Sequence, residues 1–233
     1  ASEATIVRTC KKLGYQGYYH LKIALAKEVI NPDNSYPENT DFSDITSLAT
    51  FLLKKQAEDL IQSTQFFNAE VLESILKLLA NCDTIFFFAA GNSNPLAVYG
   101  AYKFSQLGLK TVVHVSPEMQ INAAYSMGKR DLAIGISNSG STNLMVDIFK
   151  VVKERGAKSV CITNYIKSPL SKLSTHQLNT AVSDKIFFEA FDSTRVPAMG
   201  VIDMLVLLFM YKNKAHYEKY RTREEFLGSR FKG

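Results

Sequence analysis

Between residues 85 and 163, short apolar runs alternate with stretches of helical periodicity, and few architectures accept that alternation. The runs are Ile85 to Ala89, Thr111 to Val115, Leu132 to Ile136 and Ser159 to Thr163. An apolar run without polar alternates has no side to turn to water, so it fits a strand buried on both faces of a parallel sheet. The stretches between them, Pro95 to Leu107, Met119 to Met127 and Thr142 to Arg155, repeat their apolar residues at helical spacing. Gly108 and Gly156 fall where helix C-terminal stops belong. The pattern predicts an open α/β parallel sheet with right-handed crossovers and helices on both faces. A further short strand is expected at Lys185 to Glu189, and a long apolar helix from about Val196 to Tyr211.

Upstream the reading is helical. Ile45, Leu48, Ala49, Leu52 and Leu53 form one stripe, and Val71, Leu72, Ile75, Leu78 and Leu79 another. These two helices are expected to cover the following domain or a dimer partner. The segment Asn31 to Pro37, with two prolines and several turn formers, reads as a linker. Before it, Ser2 can cap a helix running to Leu13, with Gly14 as its stop. Ile6, Cys10 and Leu13 share its inner face, while Thr5, Arg8 and Lys12 share the outer one. A second helix through Val29 repeats Leu21, Leu25 and Val29 at intervals of four. About thirty residues are too few for an unaided core. With no initiator Met, a longer N-terminal portion is expected. The expected organisation is an N-terminal segment 1–30, a linker 31–40, the α/β domain with its leading helices over 41–211, and a basic tail over 212–233.

With 46% hydrophobic and 21% charged residues in 233, the chain has the makings of a packed core rather than a disordered or fibrous polymer. Residues 1–30 carry five basic and two acidic side chains, and residues 212–233 carry seven and three. Of the net +5 charge, the middle therefore holds −2, so a polyanion would meet the ends. Val201 to Tyr211 is too short to span a bilayer and contains Asp203, and no secretory signal opens the chain. Neither a membrane anchor nor export is expected. Cys10, Cys82 and Cys161 are odd in number and widely spaced, which fits a reducing cytoplasmic setting without a metal site. No cofactor is implied.

Two loops follow apolar runs as ligand-binding loops do in open α/β sheets. One is Gly91-Asn92-Ser93-Asn94-Pro95, in which Asn94 can cap the helix that Pro95 begins. The other is Ser137-Asn138-Ser139-Gly140-Ser141-Thr142. Hydroxyls and unpaired backbone N–H groups at a helix start hold a phosphate without requiring a cation. The same residue types also build an ordinary capped turn, so composition leaves both readings open. Neither Gly-Lys-Ser/Thr nor Gly-x-Gly-x-x-Gly occurs, which disfavours a nucleotide.

The segment Ile136-Ser137-Asn138-Ser139-Gly140-Ser141-Thr142, with Gly91-Asn92-Ser93, Ile162-Thr163-Asn164 and Ser168-Pro169-Leu170, resembles the SIS (sugar isomerase) domain. Ser2 to Arg8, Lys12 to Tyr18 and Leu21-Lys22 resemble the later part of the helix-turn-helix domain of RpiR-type transcriptional regulators. The joint resemblance covers most of the chain, and it implies a SIS phosphosugar-binding domain preceded by a helical segment and a partial helix-turn-helix domain. It further implies that Ser93, Ser137, Ser139 and Thr142 contact the phosphate, while Asn92, Asn138, Gly140 and Ser141 shape the loop. The first helix becomes a recognition helix, with Thr5, Arg8 and Lys12 toward DNA and Lys11 within reach of its backbone. A sugar-phosphate effector, DNA, and a homodimer or larger homo-oligomer are the implied partners.

SIS domains also occur in isomerases, which need a base beside the anion site. His114, Glu118, His176 and Glu189 are the candidates, and none forms a pair with another at informative spacing. His176 follows Ser174-Thr175 in a segment where a polar turn would serve equally well, and a lone His of this sort is usually structural or solvent-facing. A binding module with neither catalysis nor DNA contact is the third alternative. Arg195 reads first as a surface residue at a helix start, with a ligand anion or partner carboxylate as alternatives. Asp203 is expected to face a cap, a partner chain or the sheet edge.

Overall fold

The computed structural model describes residues 3–14, 44–181 and 195–231. The chain divides into two compact units, Ala1–Leu48 and Ala49–Gly233. In the first, α1 (Glu3–Lys12) ends on Gly14, whose φ of +86° closes the helix where only glycine is unstrained. Cys10 is buried, whereas Ile6 and Leu13 remain 40% and 60% exposed. The inner face expected from periodicity is therefore covered at its centre and open toward the ends of a short helix. The second helix and the linker expected over 15–40 lie outside the described residues.

The second unit is built on five parallel strands. They are β1 (Ile85–Ala89), β2 (Thr111–Val113), β3 (Leu132–Ile136), β4 (Lys158–Thr163) and β5 (His176–Asn179), in the order β2-β1-β3-β4-β5. Every residue of β1 and β3 is buried, as continuous apolar runs require. The alternation of the pleat splits the core in two. Ile85, Phe87, Ile134, Ile136 and Ile162 meet α3 (Ala69–Asn81), α4 (Asn94–Gln106) and α8 (Arg195–Lys212). Phe86, Phe88, Ala133 and Cys161 meet α5 (Pro117–Ser126), α6 (Asn143–Glu154) and α7 (Pro169–Leu173) on the other face. Gly108 and Gly156 end α4 and α6 with φ of +75° and +77°, as the spacing predicts. Burial raises the Cys161 thiol to about 11, which keeps it protonated and unreactive.

Several elements differ from expectation. Residues 176–179 form the edge strand β5 rather than a polar turn, and the strand expected at Lys185 to Glu189 lies outside the described residues. The strand from Thr111 stops at Val113, two residues short. The stretch expected as a basic tail is helical from Lys214 to Phe231 (α9), and the chain breaks from α8 at Asn213. His216 Nδ1 of α9 lies 2.7 Å from the Leu107 carbonyl oxygen, which ties the helix to the end of α4. Of the two leading helices, α3 begins at Asn68, whose side chain accepts from the Val71 N–H, and it buries Ile75, Leu76 and Leu79. The other, α2 (Ile45–Ser63), buries Asp59 and Ser63 while its apolar Leu53 and Ile61 face outward. Among the described residues, no single helix is long and apolar enough to cross a membrane.

Candidate anion-binding site

The chain turns one way from β1 to β2 and the other way from β1 to β3, so β1 and β3 flank the topological switch point. The loops leaving these two strands are the ones picked out by composition. After β1, Gly91 takes φ +55° and starts a single 3₁₀ turn, Gly91–Ser93. Ser93 occupies the position before α4, yet its side chain makes no capping bond. Asn94, expected as the cap, is instead the first helical residue with Pro95 behind it. Its side chain is carried inward, and Oδ1 is buried with no hydrogen-bond partner among the described residues.

After β3, Ser137 continues the ladder, its N–H donating to the Ile162 carbonyl at 3.0 Å. Its buried hydroxyl oxygen accepts from the Gly140 N–H at 3.2 Å, folding the loop back on itself. Gly140 has φ +59°, and a Cβ there would overlap the Ser168 side chain and come within 2.9 Å of Thr163 Oγ1. The Gly140 carbonyl accepts from Leu170 N–H, and that of Asn138 from Asn164 N–H. The SIS-like segments 136–142, 162–164 and 168–170 are thus one stitched unit. Ser139 Oγ accepts from the N–H and the hydroxyl of Ser141, at 3.3 and 3.1 Å. Thr142 precedes α6, again without a side-chain cap bond. The first N–H groups of any helix lack internal acceptors, so those at the start of α6 are open to an anion.

A cleft of about 60 Å³ opens between the loops. Asn92, Ser93 and Asn138 line it, as do Thr163, Asn164, Thr180 and Arg195, over a floor that includes Ile136 and Ile162. Of the expected ligand residues, Ser137 and Gly140 lie buried beneath the loop, and Ser139, Ser141 and Thr142 sit on the loop rather than in the cleft wall. Arg195 reaches the site from the start of α8, its Nε–H donating to the Asn92 carbonyl at 2.8 Å. It is exposed at the start of a helix, as its first reading has it, and it also lines the cleft. Thr180, which sequence reasoning missed, bonds Asn164 Oδ1 through its hydroxyl. The signal available was a polar Asn179-Thr180 pair after Leu178 at a strand end, legible only once β5 is recognised.

The proton-transfer candidates lie elsewhere. His114 lines a separate groove with Phe86, Val112 and Met119. Glu118 accepts from the Ser116 hydroxyl at 2.7 Å, a bond that holds its carboxyl below the ordinary value. His176 begins the edge strand β5, paired with Val160 in the middle of β4 and absent from the cleft lining, and Glu189 is outside the described residues. Among the described residues, no carboxylate or imidazole lines the cleft. In the N-terminal unit, Thr5, Arg8 and Lys12 are exposed on α1, as their periodicity predicts.

A family model for the SIS domain matches residues 78–208, and one for the rpiR-family helix-turn-helix domain matches residues 1–32. An uncharacterised HTH-type transcriptional regulator of Caldanaerobacter subterraneus subsp. tengcongensis is 31% identical over 224 residues, spanning 94% of this chain and 78% of that protein. The bifunctional protein glk of Burkholderia thailandensis is 29% identical over 207 residues, which are 88% of this chain but 32% of that protein. The Vibrio vulnificus NanR protein, solved in complex with ManNAc-6P, shares the fold at a TM-score of 0.79 and 24% identity, over 97% of this chain and 81% of that one. The chain belongs to the RpiR family of transcriptional regulators, in which a helix-turn-helix domain precedes a SIS domain.

Proposed function

We propose that this protein is a DNA-binding transcriptional regulator whose SIS domain senses a sugar phosphate in the cleft between the β1 and β3 loops. The observation that carries the reading is the convergence of Ser93, Asn138 and Arg195 on one cleft at the switch point. In this reading, the phosphate sits against the hydroxyls of Ser93, Ser139 and Thr142, the first N–H groups of α6 and the Arg195 guanidinium. Ser137 and Gly140 hold the loop in shape beneath it, and Asn92 does so through its bond to Arg195. Asn164 and Thr180 offer an amide and a hydroxyl to the sugar. The ManNAc-6P bound by NanR supports this ligand class, and Thr5, Arg8, Lys11 and Lys12 are the proposed DNA contacts. The protein acts in the cytoplasm as a homodimer, needs no cofactor, and does not catalyse. The positions of His114, Glu118 and His176 away from the cleft support a sensor over an isomerase.

A thermal-shift screen of hexose, pentose and amino-sugar phosphates, each beside its unphosphorylated parent, tests the reading. Saturation at about 100 times Kd stabilises the folded state by about 2.7 kcal/mol, which is readable as a rise in Tm. At least one phosphate and not its parent should produce this rise. Failure of the whole panel would overturn the reading, and conversion of the best binder into an isomer would replace the sensor with an enzyme.

A further inference from the structure

A groove of about 280 Å³ opens where the chain leaves α6 and α7 and enters β4 and β5. Lys158 is the first residue of β4, and Thr163, in the cleft wall, is the last. At about 3.3 Å of rise per residue the groove therefore lies roughly 16 Å from the cleft, at the other end of the strand. Lys153, Lys158 and Lys172 line it, and so does Gly156, against which the Lys129 side chain rests. Residues 31–211 hold more acidic than basic side chains, yet among the described residues none of these four lysines pairs with a carboxylate. The end of α6 does not absorb the charge of Lys153 either. Its carbonyls are taken by the chain itself, with Gly156 N–H donating to Lys153 O and Ala157 N–H to Val152 O. The charge is felt at the neighbouring strand, where burial and then Lys158 hold the His176 imidazole below its ordinary value. Two hydroxyls complete the wall. Ser159 N–H donates to Thr175 Oγ1 at 3.1 Å, and Thr175 N–H donates to Ser159 Oγ at 3.2 Å. Each oxygen is thus occupied as an acceptor, and among the described residues neither hydroxyl proton is given to a protein acceptor, although Ser159 is only 3% exposed.

We propose that this groove is a second anion site, separate from the cleft, and that it takes a compact polyphosphate of the pyrophosphate class. Ammonium groups bind phosphate oxygens as point charges, and several unpaired ones around one concavity call for a ligand with more than one negative charge. The Ser159 and Thr175 hydroxyls add donors whose oxygens are fixed by backbone bonds, so they set the ligand's position as the lysines set its charge. Size narrows the class further. The groove is close to the lower limit of small-molecule sites, about 300 Å³, which suits two phosphoryl groups better than a nucleotide. Duplex DNA presents singly charged phosphates along an extended surface, whereas these lysines line a hollow. The site goes beyond the proposed function and does not depend on it.

Isothermal titration of the full chain with pyrophosphate, in about 0.1 M salt, reads the site directly. Wild type should bind. Lys158→Gln/Lys172→Gln should bind at least about tenfold more weakly with an unchanged Tm, since both side chains are exposed. Arg195→Gln, which removes the cation of the cleft, should bind pyrophosphate as wild type does. Absence of binding by wild type, or equal binding by wild type and the double lysine variant, overturns the site. Loss of binding in Arg195→Gln overturns it too, because the pyrophosphate then sits in the cleft. If Lys158→Gln/Lys172→Gln fails to fold, Lys129→Gln/Lys153→Gln carries the same expectation. A random-sequence DNA duplex should leave bound pyrophosphate in place, and displacement by the duplex would make the groove a nucleic-acid surface and overturn the proposal.

Discussion

Gly140 is closed to other residues by two independent constraints. Its φ of +59° costs an L-residue roughly 1–2 kcal/mol, and a Cβ would also overlap Ser168 and crowd Thr163. Gly91, at φ +55°, meets only the first constraint, since among the described residues nothing lies within 4 Å of its Cβ position. Gly140→Ala should therefore lose about 2–4 kcal/mol in urea denaturation, against about 1 kcal/mol for Gly91→Ala. Equal losses would show that the loop is not locked onto the 163–168 turn. A second residue-scale test concerns pH. Burial, and then the charge of Lys158, lower the His176 pKa below its ordinary 6.5. The unfolded chain thus takes up this proton before the folded one does. The contribution is fully present above pH 6.5 and is lost as pH falls toward the folded pKa. His176→Gln should flatten the decline of stability just below pH 6.5, and an unchanged slope there would contradict the assignment.

At the scale of elements, what was legible depended on whether one strand or helix carried its own signal. The strands β1, β3 and β4 announce themselves because burial on both faces demands an unbroken apolar run. The edge strand β5 is mostly polar, with His176, Gln177 and Asn179 among its four residues, and reads as a turn. Helix α7 has five residues, too few for a period, and α9 lacks an apolar stripe, so it reads as a charged tail. The site divides in the same way. Asn92, Ser93 and Asn138 were legible because loops after buried strands advertise themselves, whereas Thr180 and Arg195 arrive from β5 and α8 only through the order of the sheet. Close approach between elements was likewise invisible in the chain. Gly135 of β3 lies under Phe149 of α6, where a Cβ would collide with the ring. Gly135→Ala should cost about 1–3 kcal/mol by overpacking. Phe149→Leu should partly restore the double variant, as measured by chemical denaturation; additive losses would mean that the two do not meet.

For the molecule as a whole, the proposed ligand and DNA contacts lie in different parts of one chain. The basic excess of residues 1–30 suits a phosphate backbone, and the cleft at the switch point suits a small anion. Coupling between them is a statement about free energy, and it holds only if the sugar phosphate alters DNA affinity. The direct measurement is fluorescence anisotropy of the full chain on a DNA site selected from genomic fragments, with and without the most stabilising sugar phosphate, for wild type and Ser93→Ala. Because Ser93 makes no cap bond, its loss should leave the fold intact. The account predicts at least a tenfold change in DNA affinity for wild type, and none for Ser93→Ala at the same ligand concentration. An unchanged wild-type affinity, or an equal response in both proteins, would contradict it.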